Sequence, residues 1–421
     1  MSWIFPIEIT VRAPLMSAPG QAVSRVVPAA ARAAVSAGVS ERGRRPSDDF
    51  SDRDGYEPGF IPGHVVPLPK LSAAQRQAAA RNLSARSGDD PFELPYHHFS
   101  VVVNGRRKLA FFTACNIDGR RSKYINRDTG AIAALDPRNP DHGLMESLEE
   151  SGAEASEAWY DDARLAAGTV AGKSTYEKQV VPGFPDTQSM NRTLRMFQRG
   201  HLVRRLDPAW GTNDQAKLGE GDTFFFTNCA PQVGFFNMGR ANPSVGGTGG
   251  GKLWRAVENL VLRNARNERM RACTFSGPIF DDDDRAYRDI WIPGQFFKVA
   301  VWAEGGALRS LGMIADQTAV IEVWPEALFP AVGAALAPAE LGPEAFQDPD
   351  ELDRVDDFLT TIEAIEKATH LDFGDAVRDA DIRRGESAVE RPERLEDVPM
   401  TPGEDRPPRR GRASRSPVRS S

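Results

Sequence analysis

The sequence predicts a mixed α+β domain built on antiparallel strands and framed by polar extensions. Three observations carry this. Two β-rich runs, 96–103 and 109–114, flank Asn104-Gly105, a pair that suits the positive φ angles of a tight hairpin. Two further strand-like runs, 272–280 and 290–302, come late in the chain. Other stretches repeat apolar residues at three- and four-residue steps, the period of a helix that buries one side.

Composition narrows the function classes. With 421 residues, 40% hydrophobic and 26% charged, the chain can bury a sizeable core as one large domain or two ordinary ones. A net charge of -7 argues against general coating of nucleic acid, because phosphate binding draws on positive surface. A nuclease of this composition must concentrate its positive charge locally. Cys115, Cys229 and Cys273 are odd in number and lack CxxC spacing, so neither a disulfide framework nor a zinc cluster is expected. No apolar run reaches about 18 residues, so no membrane span is expected. Met1 to Pro6 lacks a basic start and a long apolar stretch, so no Sec signal is read. The compartment stays open between the cytoplasm and export by a signal-independent route.

Taken in order, residues 1–60 are rich in Ala, Gly, Ser, Pro and Arg and are expected to be disordered. Residues 61–90 read as a linker with a helical arm over 71–83, capped by Ser72. The main domain is expected over 91–375. His97 and His98 head its first strand and face opposite ways there, which suits structural roles. Prolines 137, 140, 182 and 185 punctuate loops. Two glycine-rich stretches, 168–175 and 246–253, look like phosphate loops but fail on spacing and on the closing hydroxyl. The run 223–228 reads as a hydrophobic strand ending on Asn228, and 253–270 as a helix. The aspartates 281–284 suit a solvated loop, and 307–315 and 319–324 are strand-like. An amphipathic helix is expected over 350–370, through Leu352, Val355, Leu359, Ile362 and Ile365. Residues 376–421 form an Arg/Pro/Ser-rich tail, expected to be disordered, whose arginines suit weak phosphate binding.

The chemistry centres on His201, placed where a strand end is expected to turn into a helix. Phosphodiester hydrolysis needs an attacking water, a base for its proton, and positive charge where negative charge builds up. His201 suits the base, and Arg199 suits a phosphate oxygen. Asn237 offers an oxygen to a hard cation, and Glu258 suits holding that cation's waters. Spacing alone favours scattered structural polar groups, since a lone histidine is weak evidence.

The order of the surrounding motifs changes that reading. Arg199-Gly200-His201, then Phe226-Thr227-Asn228-Cys229-Ala230-Pro231-Gln232, Asn237, Trp254 and Glu258 are followed by Ser276-Gly277-Pro278 and Ile292-Pro293-Gly294-Gln295-Phe296-Phe297-Lys298. With them, 107–114, 116–119 and 362–373 give a resemblance over about 90–375 to the DNA/RNA non-specific endonucleases, the ββα-metal or His-Me finger family that includes endonuclease G. The resemblance implies a central antiparallel sheet flanked by helices, with a metal finger carrying His201 and Asn237. It implies His201 as general base and Asn237 as the direct Mg2+ ligand, with Mn2+ as a substitute. Glu258 is implied to act through metal-bound water, Arg199 at the phosphate, and Asn228 in shaping the site. The implied reaction cuts DNA and RNA to 5′-phosphate and 3′-hydroxyl ends. DNA and RNA are then the partners, with a homodimer and an inhibitor or immunity protein as further ones, and no membrane.

Three departures stand out. Gln198 replaces the aspartate usual before Arg-Gly-His, which removes a negative charge. The glycine-rich insertion after Asn237 makes Asn242 a second candidate ligand. Leu262 stands where an arginine is frequent, and Arg263 points about 100° away on an ideal helix. The leading expectation is therefore a magnesium-dependent, sugar-non-specific endonuclease. The alternative is a catalytically weakened nuclease fold serving as a nucleic-acid-binding or interaction module, and a hydrolase of small phosphodiesters ranks third.

Overall fold

Strands that are apolar on both faces need cover on both faces, and this requirement sets the layers of the protein. The computed structural model describes residues 49–126, 129–135, 158–177, 179, 197–233, 236–237, 253–318, 321 and 359–385. Helix α1 (Ala73–Ala78) leads into strands β1 (Glu93–Tyr96), β2 (Phe99–Asn104) and β3 (Leu109–Asp118). Strand β4 (Gln198–His201), helix α2 (Asn213–Asp222), strand β5 (Cys229–Gln232) and helix α3 (Leu253–Asn267) follow. Strands β6 (Arg271–Ile279), β7 (Gln295–Glu304), β8 (Ala307–Asp316) and β9 (Leu359–Thr360) precede helix α4 (Ile362–Thr369). Seven strands form one antiparallel sheet in the order β9-β8-β7-β6-β3-β2-β1.

Alternation along the central strands feeds two cores. Val101, Val103, Phe296 and Trp302 join Trp254, Val257 and Val261 of α3 on one side of the sheet. Val102, Phe297, Val299 and Val301 join Ile362 and Ile365 of α4 on the other. The β4–β5 hairpin belongs to the first layer, through Phe197, Leu202, Ala230 and Val233.

Several expectations need correction. The packed structure begins before residue 60: Tyr56, Phe60, Ile61 and Val66 are buried in the second core. It also continues past 375, with Asp375–Asp379 helical and Val377 buried. The arm helix stops at Ala78. Its Ser72–Gln75 capping box is present, but Ala79 turns extended and bridges Asn104, while the Ala80 amide donates to the Val103 carbonyl. Sheet pairing there overrides the helix propensity of the alanines. The Asn104-Gly105 hairpin is longer than a two-residue turn. Asn104 pairs with Leu109, and its side-chain oxygen accepts from the Arg106 and Arg107 amides.

The expected helix over 350–370 is also shortened. Leu359 lies in β9 against Met313, and the Thr361 hydroxyl caps the Ala364 amide. Residues 350–358 lie outside the described residues, as do Asn242, 246–252 and most of 319–324. No helix directly follows His201, where residues 202–212 run as an irregular connection to α2. The phenylalanines 224–226 form no strand either. A 3₁₀ turn, Phe226–Asn228, leads instead into β5.

One buried ion network fastens the leading segment to the main layer. Asp222, at the end of α2, accepts from Arg53 Nε and Nη2 at 3.0 Å each, and its Oδ2 also meets His97 Nδ1 at 2.7 Å. All three residues are buried. Arg53→Ala leaves that carboxylate with His97 as its remaining side-chain partner. The expected cost is about 3 kcal/mol, the low end for a broken buried pair, read as a lower urea midpoint. An unchanged midpoint would show that the Arg53–Asp222 pair contributes nothing to stability.

Candidate active site

The site is built on a hairpin of four residue pairs. Gln198 faces Gln232, Arg199 faces Pro231, Gly200 faces Ala230 and His201 faces Cys229. Alternation turns Arg199 and His201 to one side and Gln198 and Gly200 to the other. Gly200 is required by its neighbour, because a Cβ there would lie 1.9 Å from Gln232 Oε1, and Gln232 is wholly buried.

On the outer side, His201 is half-buried against Trp159, ring centroids 4.7 Å apart, and meets Phe224 edge-on at 5.3 Å. The Arg199 guanidinium lies 5.5 Å from the centre of the same Trp159 ring, a cation–π arrangement. The indole thus brings the expected base and the expected phosphate-binding arginine together. Trp159 sits in a stretch read as loop, and no spacing signal in the sequence singles it out.

On the other side, Asn237 Nδ2 donates to Gln198 Oε1 at 2.8 Å. Asn237 is positioned by its neighbours. Phe236 is buried and stacked on Trp254, with centroids 6.3 Å apart, and the Asn237 amide donates to the Val233 carbonyl. The structure therefore joins Asn237 to the strand of His201 through Gln198, and it reaches the hairpin from the face opposite the imidazole.

Asn228, expected among the catalytic groups, has its amide engaged by the chain around it. It is fully buried, its Oδ1 accepts from the Val203 amide, and its Nδ2 donates to the Val203 and Thr223 carbonyls. With the Leu202 amide on the Asn228 carbonyl, these bonds fix the chain as it leaves His201. Gln317, which no motif singles out, performs the same service for β5. Its Oε1 accepts from the Val233 amide, and its Nε2 donates to the Pro231 and Pro293 carbonyls.

Helix α3 docks on the hairpin through Trp254, whose Nε1 donates to the His201 carbonyl at 3.0 Å. One turn later Glu258 is buried in a charged layer with Arg204, Lys298 and Asp207. Lys298 Nζ donates to Ser276 Oγ at 3.1 Å and lies 3.8 Å from Asp207 Oδ2. Burial raises the Asp207 carboxyl, against the pull of Lys298 and Arg204. Burial likewise pushes the Glu258 carboxyl up from 4.5 to about 7, although Arg204 and Lys298 oppose the rise.

The oxygen donors suit a magnesium ion. Asn237 commits its nitrogen to Gln198, and an amide oxygen is a donor of the kind a hard cation takes. Among the described residues no three His, Cys, Asp or Glu side chains gather as a metal cage. Magnesium commonly binds with few protein ligands and several waters, so the residues present fit it.

The model of the DNA/RNA non-specific endonuclease family matches residues 76–380. The chain belongs to this family of phosphodiester hydrolases that act on nucleic acid. It is 34% identical over 316 residues to "Uncharacterized protein y4fB" of Sinorhizobium fredii (strain NBRC 101917 / NGR234), covering 74% of this chain and 39% of that protein. The chain thus spans about two-fifths of that relative's length. A chain in the crystal structure of the EndoG/EndoGI complex aligns at 12% identity with a TM-score of 0.38, covering 68% of this chain and 86% of that one.

The raised Glu258 carboxyl has a consequence for stability. The folded protein holds this proton more tightly than the unfolded chain, so the group contributes fully below about 4.5 and loses its contribution as pH rises through about 7. Without divalent ions, the urea midpoint of the wild type is expected to fall relative to Glu258→Gln between pH 5 and pH 8. A difference that is constant across this range would contradict a buried, titrating Glu258.

Proposed function

We propose that the chain is a metal-dependent, sugar-non-specific endonuclease that hydrolyses DNA and RNA to 5′-phosphate and 3′-hydroxyl ends. The observation that carries the reading is the anchoring of Arg199, His201, Asn237 and the Glu258 helix to one four-residue strand. His201 acts as general base and removes the proton of the attacking water. Arg199, on the same side of the strand, binds a phosphate oxygen and offsets charge in the transition state. Asn237 Oδ1 is the protein ligand of a magnesium or manganese ion, and Glu258 orients the ion's waters. When bound, the ion would supply positive charge at the scissile phosphate and leaving oxygen. Gln198, in place of an acidic residue, leaves the ligand group less negative than is usual in the family.

The test uses plasmid DNA and a long RNA with magnesium, manganese or a chelator. Wild type is expected to cut both, and to stop when the ion is chelated. His201→Ala is expected to lower the rate about 10²- to 10⁴-fold, the range for losing a general base, with its urea midpoint little changed. If wild type cuts no better than His201→Ala with either ion, the catalytic reading fails. Retained binding of the same substrates would then identify a nucleic-acid-binding module.

A further inference from the structure

Behind the hairpin lies a set of amides that the catalytic reading leaves unused. Gln198 is buried and Gln232 fully so, and the two face each other across the ladder. Among the described residues, Gln198 Nε2 and both amide atoms of Gln232 are buried without hydrogen-bond partners. Leaving such groups unsatisfied costs about 1–3 kcal/mol each, and the hairpin gives up the side chain at Gly200 to make room for Gln232. The other end of the Gln198 amide accepts from Asn237 Nδ2 at 2.8 Å.

We propose that Gln198 and Gln232 form an uncharged amide relay that positions Asn237. The two amides make no direct hydrogen bond, and one buried water, accepting from Gln198 Nε2 and donating to Gln232 Oε1, links them. That contact fixes Gln198 with Oε1 toward Asn237, which turns the Asn237 oxygen outward to a divalent cation. The chain thereby orients its ligand with a neutral group where its family uses a carboxylate. Cation binding is weaker than with an acid in that place and follows the shape of the relay. The inference rests on the proposed role of Asn237 as metal ligand.

The experiment measures Mn2+ binding to the full chain at pH 8 by electron paramagnetic resonance, without nucleic acid. Urea midpoints are taken alongside. Gln198→Met keeps the length of the side chain and removes its acceptor; it is expected to weaken Mn2+ binding about 10-fold, as loss of a ligand-orienting hydrogen bond does. Gln232→Leu is expected to weaken it in the same direction, because Gln198 then loses its anchor. Gln198→Glu keeps the acceptor, adds a charge and is expected to bind Mn2+ several-fold more tightly than wild type. If either of the first two variants lowers the midpoint beyond use, Gln198→Glu decides. Equal Mn2+ affinity in wild type and Gln198→Met, or weaker binding by Gln198→Glu, would overturn the relay and leave the nuclease reading standing. Mn2+ binding by wild type no tighter than by Asn237→Ala would overturn both.

Discussion

The pairing of Gln198–His201 with Cys229–Gln232 is the contact on which the site depends. Four residue pairs are too few to hold a hairpin by themselves, because isolated two-stranded ribbons are marginal in water. Its rigidity comes from outside the ladder. Asn228 ties the chain leaving His201, Gln317 ties the end of β5 to the Pro293 carbonyl, and Trp254 ties α3 to the last carbonyl of β4. Each of these side chains is buried, so each hydrogen bond is costly to break. The large sheet thus serves the site indirectly, as the wall against which these pins are set.

The same economy governs charge. The whole chain is acidic, yet the layer beneath the hairpin interleaves Arg204 and Lys298 with Glu258 and Asp207. Buried charges persist only when opposed and hydrogen-bonded. Here the opposition is incomplete, and the Glu258 carboxyl rises to about 7. A cation nearby would favour the ionised form of such a group.

Much of the fold was legible in the sequence because the central strands are apolar on both faces and their breaks carry turn residues. Run 272–280 became β6 with a one-residue shift, whereas 290–302 divided into a short strand, Ile290–Ile292, that pairs with Arg285–Tyr287, and β7. Where reading failed, a tertiary bond had outweighed a local preference. Ala80 left the helix for the Val103 carbonyl, and the expected strand over 223–228 gives way at Phe226 to a 3₁₀ turn. Tyr56 and Phe60 were hidden by the polar composition around them, although both are core residues. The site shows the same division. The motif order around His201 was visible, but Trp159 and Gln317 lie in stretches with no local signature. The partnership of Gln198 with Asn237 joins residues 39 positions apart.

Apart from the Trp254 indole, the side chains that support the hairpin are amides. Asn228, Gln232, Gln317, Gln198 and Asn237 carry no charge to gain or lose, so the strand they hold does not shift as protons or ions arrive. A carboxylate in place of Asn228, Gln232, Gln317 or Gln198, all buried, would either titrate or demand a partner. The carboxyl whose pKa is raised one turn along α3 from Trp254 is Glu258, buried in the charged layer. Geometry and charge are thereby assigned to different residues: the amides keep Arg199 and His201 in register, while the raised carboxyl is that of Glu258. That separation lets a short hairpin remain fixed while the charge around it changes.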